Sequence, residues 1–291
     1  MSDNAANDIV TPLVLEAVAH WNETEVVAAL GTGFTVLTAG TQRSRLTWLD
    51  SFDWRLYRAG LVLEHRQARG AGLGQYELRL SHRAGELLAV QTAATRPPAT
   101  PDELESGPLR AELTRIVQMR ALLCVAAMDV TARQLRLLDT RDKTVVRIVL
   151  EQAVVSGRSL PLRIVVEQVR GYPAQARRAG ALLVASGASA IDGSRFQAAL
   201  AAVGRCAGDY SNRICVQLDP QAPAPQSVAR LLLAALDGIE ANVDGTLRDL
   251  DTEFLHDLRV NVRRTRAALK LTGDVLPGEL ATRFEPEFRW L

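Results

Sequence analysis

Lysine is almost absent: only Lys143 and Lys270 occur, and every other one of the 34 basic residues is arginine. Cysteine is scarce too. Cys124, Cys206 and Cys215 are odd in number and lack CxxC spacing, which excludes a disulfide framework and a zinc ribbon. Their apolar or mixed surroundings predict buried structural thiols. No apolar run exceeds Ala121 to Met128, far short of the roughly 20 residues that span a bilayer. The opening segment MSDNAANDIV is acidic and polar, without the basic and apolar regions of a secretory signal. The chain therefore reads as cytoplasmic, with no membrane partner.

What is present is an ordinary globular mixture of 291 residues, 47% apolar and 23% charged. The length fits one large domain or two. A formal charge of +1 excludes a chain that is basic throughout. Arginine is suited to bidentate phosphate contact. A high genomic G+C content also enriches arginine, so composition leaves both readings open.

Along the chain, residues 13 to 31 read as mainly helical, with Asn22 as a cap before Glu23 and Glu25. Strands are expected at Phe34–Ala39, Ser44–Leu49, Leu61–Ala68, Gln75–Leu80 and Leu87–Thr92. A Pro-rich stretch leads into a helix from Leu109 to Met119. Strands resume at Met128–Leu138, Thr144–Val155 and Leu162–Val169, and helices follow at Pro173–Ser186 and Ser194–Val203. The segment LDPQAPAPQ, Leu218 to Gln226, is a linker by composition. Beyond it, Ser227 can cap one amphipathic helix and Asp251 a second, Glu253 to Thr272, ended by Gly273.

Several strands carry charge at period two. Glu77 and Arg79 share one face, as do Arg147 with Glu151, and Arg163 with Glu167. That face is either the wet outside of an antiparallel sheet or the inside of a barrel lining a polar tunnel. Periodicity does not separate the two.

The sharpest feature is FLHDLRVNVRRTRAALKL. At about 3.6 residues per turn, His256, Arg259, Arg263, Arg266 and Lys270 fall within an ~80° sector, with Arg264 off it. Phe254, Leu255, Leu258, Val262 and Leu269 take the neighbouring face. Solvated helix faces usually interleave signs, and this one does not. Each like-charged pair costs roughly 0.2–0.5 kcal/mol on an isolated helix. A polyanion along the stripe would remove that cost, and so would acids of a partner helix. His256 is either a phosphate contact or a neutral histidine in a helix interface.

Two resemblances extend these readings. The stretch TWLDSFDWRLYRAGLVLEHR, Thr47 to Arg66, is similar to the diagnostic segment of CYTH domains, the triphosphate-tunnel fold. Looser matches follow in YELRL, LRLLDTRDKTVVRIVLEQ and LPLRIVVEQVRGY, so that the likeness covers about residues 29 to 190. It implies an α+β chain with an antiparallel β-barrel and flanking helices, and phosphate contacts in the tunnel from Arg66, Arg79, Arg133, Arg147 and Arg163. Active members open with Glu-x-Glu-x-Lys, whose paired carboxylates share a metal. Here LVLEAVAH offers only Glu16. The nearby Glu23-Thr-Glu25 has Val27 in place of Lys and reads as a helix cap, with a surviving metal motif as the other reading. The expectation is a degenerate tunnel without a confident metal or catalytic site. The alternative is an Mg2+- or Mn2+-dependent triphosphatase or polyphosphatase using Glu151 and Glu167.

The pattern His256 to Leu269 resembles the opening signature of CHAD domains, helical bundles named for conserved histidines. This implies inorganic polyphosphate, or another polyanion, as partner, with His256, Arg259, Arg263, Arg264, Arg266 and Lys270 as contacts and Arg289 as a weaker one. The resemblance also implies a bacterial tandem and association with polyphosphate granules. The expected division is a CYTH-like domain over 1–217, its first 28 residues atypical and helical, a linker over 218–226, and the start of a CHAD-like domain over 227–291. A full domain of that kind continues with further helices. The sequence reading is therefore a bundle that is either truncated or completed by helices of another chain, with exposed apolar positions that favour self-association.

Overall fold

The computed structural model describes residues 12–18, 21–69, 76–92, 95–191 and 193–290. Its core is one antiparallel sheet. The strands are β1 (Leu13–Glu16), β2 (Thr35–Asp50), β3 (Leu61–Arg69), β4 (Tyr76–His82), β5 (Leu87–Thr92), β6 (Leu123–Leu138), β7 (Thr144–Val155), β8 (Arg158–Ser159), β9 (Arg163–Gln168) and β10 (Ser189–Ala190). They pair in the order β10-β1-β9-β7-β6-β2-β3-β4-β5, with β8 as a short hairpin on β7.

The sheet curls without closing. Its pairing path ends at β10 and β5 among the described residues, so the barrel is open rather than complete. Yet Val14 of β1 and Leu87 of β5, near opposite ends of that path, line one cavity.

Alternation along the strands explains the layers. On the convex side, Leu15, Leu135, Leu137, Val146, Ile148, Leu150 and Ile164 form a core under helices α1 (Glu23–Gly31) and α4 (Pro173–Ala185). Further along that side, Leu49, Leu63, Leu78 and Leu80 pack under α3 (Pro108–Val117) and the single turn α2 (Arg55–Arg58). On the concave side, Leu46, Trp48, Met128, Val130 and Ala153 receive Phe196, Ala199 and Leu200 of α5 (Arg195–Ala202). The charged strand faces therefore turn inward around α5.

Three sequence expectations change here. The helix predicted from residue 13 is strand β1 over Leu13–Glu16, and α1 begins only at Glu23. Leu13 and Leu15 pair with Val166 and Ile164 of β9, an apolar ladder that no local pattern reveals. Phe34–Ala39 and Ser44–Leu49 belong to one long strand, because the register with β6 shifts at Thr38/Gly40 without ending the pairing. The three cysteines are free and exposed rather than buried.

The C-terminal part is a helical hairpin, α6 (Ala224–Leu247) and α7 (Thr252–Leu271), followed by α8 (Gly278–Trp290). The first of these starts at Pro223 and Ala224, before Ser227, since proline near the N-terminus needs no amide partner. Glycines let α7 approach α6 closely. A Cβ on Gly245 would lie 2.2 Å from the Phe254 ring, and one on Gly238 would lie 2.8 Å from Asn261. Leu232 packs near Val228 and Leu269, whereas Leu236, Val243, Leu247 and Leu255 stay exposed, Leu247 by 80%.

Gly245→Ala therefore should destabilise the protein in spite of alanine's better helix propensity. Overpacking against a buried ring costs about 1–3 kcal/mol, more than the ~1 kcal/mol gained from propensity. Gly31→Ala, where a Cβ meets nothing within 4 Å, is the control. Urea unfolding of both variants checks this; equal midpoints would refute it.

Candidate functional site

Helix α7 starts where its sequence predicts. Asp251 is its N-cap, with Oδ1 accepting from the amides of Glu253 (3.0 Å) and Phe254 (3.2 Å). The same carboxylate accepts the Ala121 amide at 2.8 Å and the Arg120 Nη1 at 3.3 Å. One side chain thus begins the helix and ties it to the sheet domain. The buried face of α7 carries Phe254, Asp257, Asn261, Val262, Thr265 and Leu269.

Arg120 is the centre of that junction, with no side-chain exposure. Its guanidinium meets Asp257, Asp251 and, through Nε at 3.5 Å, Asp53. It also lies over the Phe254 ring. Burial works against its charge, but the three carboxylates more than offset this and hold its proton tightly. Arg55 adds a bridge to Glu253 at 3.3 Å. Asp50, Ser51 and Asp53 of the LDSFDWR segment shape this corner. The Asp50 carboxylate accepts the amides of Ser51, Leu56 and Tyr57 at 2.7–2.9 Å. Ser51 Oγ donates to Asp53.

With α7 fixed this way, the predicted stripe faces outward. His256, Arg259, Arg263, Arg266 and Lys270 are all exposed. None of them has an ion pair or hydrogen bond among the described residues. Between residues 254 and 273, Asp257 is the sole acid against five Lys or Arg, and it is buried against Arg120 on another face. Arg264, off the stripe, donates to the Asn212 carbonyl at 2.6 Å. Arg289 is remote in sequence, in the last turn of α8.

The concave side of the sheet holds the second charged group. Glu16 faces Arg163 across the β1/β9 pair, and Glu151 faces Arg163 across β7/β9. Arg195 of α5 enters from the other side and pairs with both Glu151 oxygens, Nε to Oε2 at 2.8 Å. Arg163 Nε lies 3.7 Å from Glu151 and is buried without a hydrogen bond. Burial and the adjacent Arg195 push the Arg163 pKa down; on Arg195, the Glu151 carboxylate outweighs burial and pushes it up.

Two cavities flank this pair. One, about 360 Å3, is lined by Glu64, Arg66, Arg79, Arg83, Arg163 and Arg195 among others. Burial raises the Glu64 pKa against the pull of Arg66, Arg195 and Arg79. The other cavity, about 500 Å3, is largely apolar and shares Arg163 and Arg195. The structure thus brings Arg66, Arg79, Arg163 and Glu151 together. Arg147 lies on the same sheet face, opposite Arg136 and Glu167, but is exposed and lines neither cavity. Arg133 is on the convex face, where it pairs with Glu23 of α1. Sequence reading missed Arg195, which looks like an ordinary first-turn helix residue.

Among the described residues, no three His, Cys, Asp or Glu side chains converge on a cation position. Glu151 is held by two arginines, and Glu25 closes a capping box by accepting the Asn22 amide at 2.9 Å.

Residues 230–291 match the family model described as CHAD domain, in agreement with the resemblance of His256 to Leu269. No curated protein gives a significant match. Solved structures similar to the chain include a Hippeastrum protein described as an adenylyl cyclase candidate with a dominant triphosphatase activity. It is 13% identical with a TM-score of 0.48, over 67% of this chain and 96% of that one. A Pyrococcus horikoshii protein is 13% identical at 0.42, over 67% and 98%. A candidate adenylate cyclase from Bacillus halodurans is 14% identical at 0.40, over 63% and 94%. Among the described residues, no helix is long and apolar enough to cross a membrane.

Two predictions follow from the junction. Arg120→Met leaves Asp257 and Asp251 buried without their cation, which costs about 3–5 kcal/mol. Chemical denaturation should show that loss, and a loss under 1 kcal/mol, roughly the worth of an exposed pair, would contradict it. The second concerns pH. Burial pushes the Asp50 carboxyl from 3.8 up to about 6, against its three amide donors. The folded state therefore binds this proton more tightly than the unfolded chain. Its contribution is full below about pH 4 and is lost as pH rises through about 6, by roughly 3 kcal/mol. The stability of wild type relative to Asp50→Asn should fall across that window; a constant difference would refute the assignment.

Proposed function

We propose that the protein binds inorganic polyphosphate, or a like polyanion, along the outer face of α7. The observation that carries this is the stripe of His256, Arg259, Arg263, Arg266 and Lys270, exposed and without acidic partners among the described residues. Cations about one turn apart match a linear ligand with closely repeated charge. Neutralising them by ligand phosphates releases counterions. The CHAD match over 230–291 supports the same class of ligand. Self-association through Leu236, Val243 and Leu247 belongs to this reading, since those apolar positions of α6 are exposed.

The sheet interior is read as non-hydrolytic. Hydrolysis of a phosphoanhydride with a divalent ion needs carboxylates free to hold that ion. Glu151 is instead engaged by Arg195 and Arg163, and Glu167 sits across from Arg147.

Filter-binding titration with long-chain polyphosphate tests the main reading. Affinity should fall with salt. Arg259→Ala with Arg263→Ala should weaken binding and make the log–log salt slope shallower by about one unit per cation removed. Absence of binding, or an unchanged slope, overturns it. Phosphate release with Mg2+ or Mn2+ that disappears in Glu151→Ala would overturn the non-hydrolytic reading of the interior alone.

A further inference from the structure

The apolar cavity that shares Arg163 and Arg195 has an unusual division of chemistry. Its volume is about 500 Å3 and its wall is formed by Met128, Val130, Ala153, Leu160, Ile191 and Ala198. These apolar groups come from β6, β7, the turn after β8, the residue after β10, and α5. At one end stand Arg163 and Arg195, facing Glu151 and Glu16. The mouth carries Pro161, Gln197, Ala198 and Ala201, all exposed.

Among the described residues, the charged end has more donors than acceptors. Arg195 takes both oxygens of Glu151. Among the described residues, Arg163 has the Gly193 carbonyl at 3.3 Å and the Glu151 carboxylate at 3.7 Å, and its Nε is buried with no hydrogen-bond acceptor. A buried, unpaired guanidinium nitrogen is costly unless something binds there. Among the described residues, two cations and two carboxylates also leave this end near neutrality, unlike the strongly basic neighbouring cavity. A chain of repeated negative charge does not fit an apolar chamber, because its phosphates would be desolvated without partners. A single anionic head on Arg163 with an apolar body along α5 satisfies both halves. Small-ligand sites are commonly of this volume and this mix of apolar wall and few convergent polar groups.

We propose that this chamber binds a small amphiphilic anion, its apolar body against Met128, Val130, Ala153 and Ala198 and its single anionic group on Arg163 beside Arg195. The site is separate from the α7 stripe and does not depend on the polyphosphate reading. The head is a carboxylate or a phosphate monoester, both of which present oxygens to a guanidinium.

Isothermal titration of the full chain with four probes of one chain length tests this: decanoate, decyl phosphate, decanol and decyltrimethylammonium. One or both anions should bind, and whichever binds identifies the head. Decanol and the cation should bind at least tenfold more weakly. Arg163→Gln, which leaves Glu151 paired with Arg195, should lose tenfold or more in affinity for the anion. Ala198→Trp fills the chamber from an exposed position of α5 and should abolish binding with the thermal midpoint retained. Polyphosphate binding to the stripe should be unchanged in Ala198→Trp, so a failure here is distinct from a failure of the stripe reading. The proposal is overturned if neither anion saturates at millimolar concentration, if decanol binds as well as the anions, or if a folded Ala198→Trp binds them undiminished.

Discussion

A single buried guanidinium fixes how the two halves of this chain meet. Arg120 follows α3 in the sheet domain, while Asp251 and Asp257 belong to the start of α7. Placing a lone cation there would cost several kcal/mol, and so would placing the carboxylates. Together they are tolerable only in one geometry. Three carboxylates around one cation leave negative charge in excess, and other donors absorb it. Asp251 also accepts the amides of Ala121, Glu253 and Phe254. Asp53 takes Ser51 and Arg55. Asp257 takes Tyr210 and Asn212. Such a network adds less to stability than apolar packing of similar volume would, but it tolerates few alternative registers.

The orientation of the basic stripe follows from that register. Asp257 sits between His256 and Leu258 in sequence, yet the lock turns it inward and leaves the cations outward. The helix thereby separates its charges by face, with the acid spent on Arg120 and the bases left in water. Close approach of α6 through Gly238 and Gly245 is part of the same arrangement, since it seats Phe254 against Phe52 and under Arg120. Rotation of α7 by one residue would bury cations and expose Phe254.

Features set by near neighbours were legible in the sequence. The Asp251 cap, the Asn22 capping box, strand β7 and the 80° stripe all depend on residues within a few positions of one another. What escaped depends on distant partners. Strand β1 is four residues long and is held by β9 and β10, more than 140 positions away. The convex placement of Arg133 could not be read, because alternation assigns residues to two faces without saying which is enclosed. Arg120 and Arg195 look like any other arginine in an arginine-rich chain. Only the fold shows one locked among aspartates and the other closing on Glu151.

The scarcity of lysine therefore has different meanings at different sites. Arginine's planar fork lets Arg195 engage both oxygens of Glu151 and lets Arg120 reach three carboxylates at once, which a compact ammonium does not match. On the stripe no such geometry is imposed, and Lys270 takes its place there beside three arginines. Inside the sheet, the same fork explains why Arg163 matters. With Glu151 already bridged by Arg195, a second planar cation is held close to the carboxylate but too far to bond, with an unsatisfied nitrogen facing a mainly apolar space. A guanidinium nitrogen that is buried and has no hydrogen-bond acceptor among the described residues is the point at which an interior of this kind can recognise a ligand.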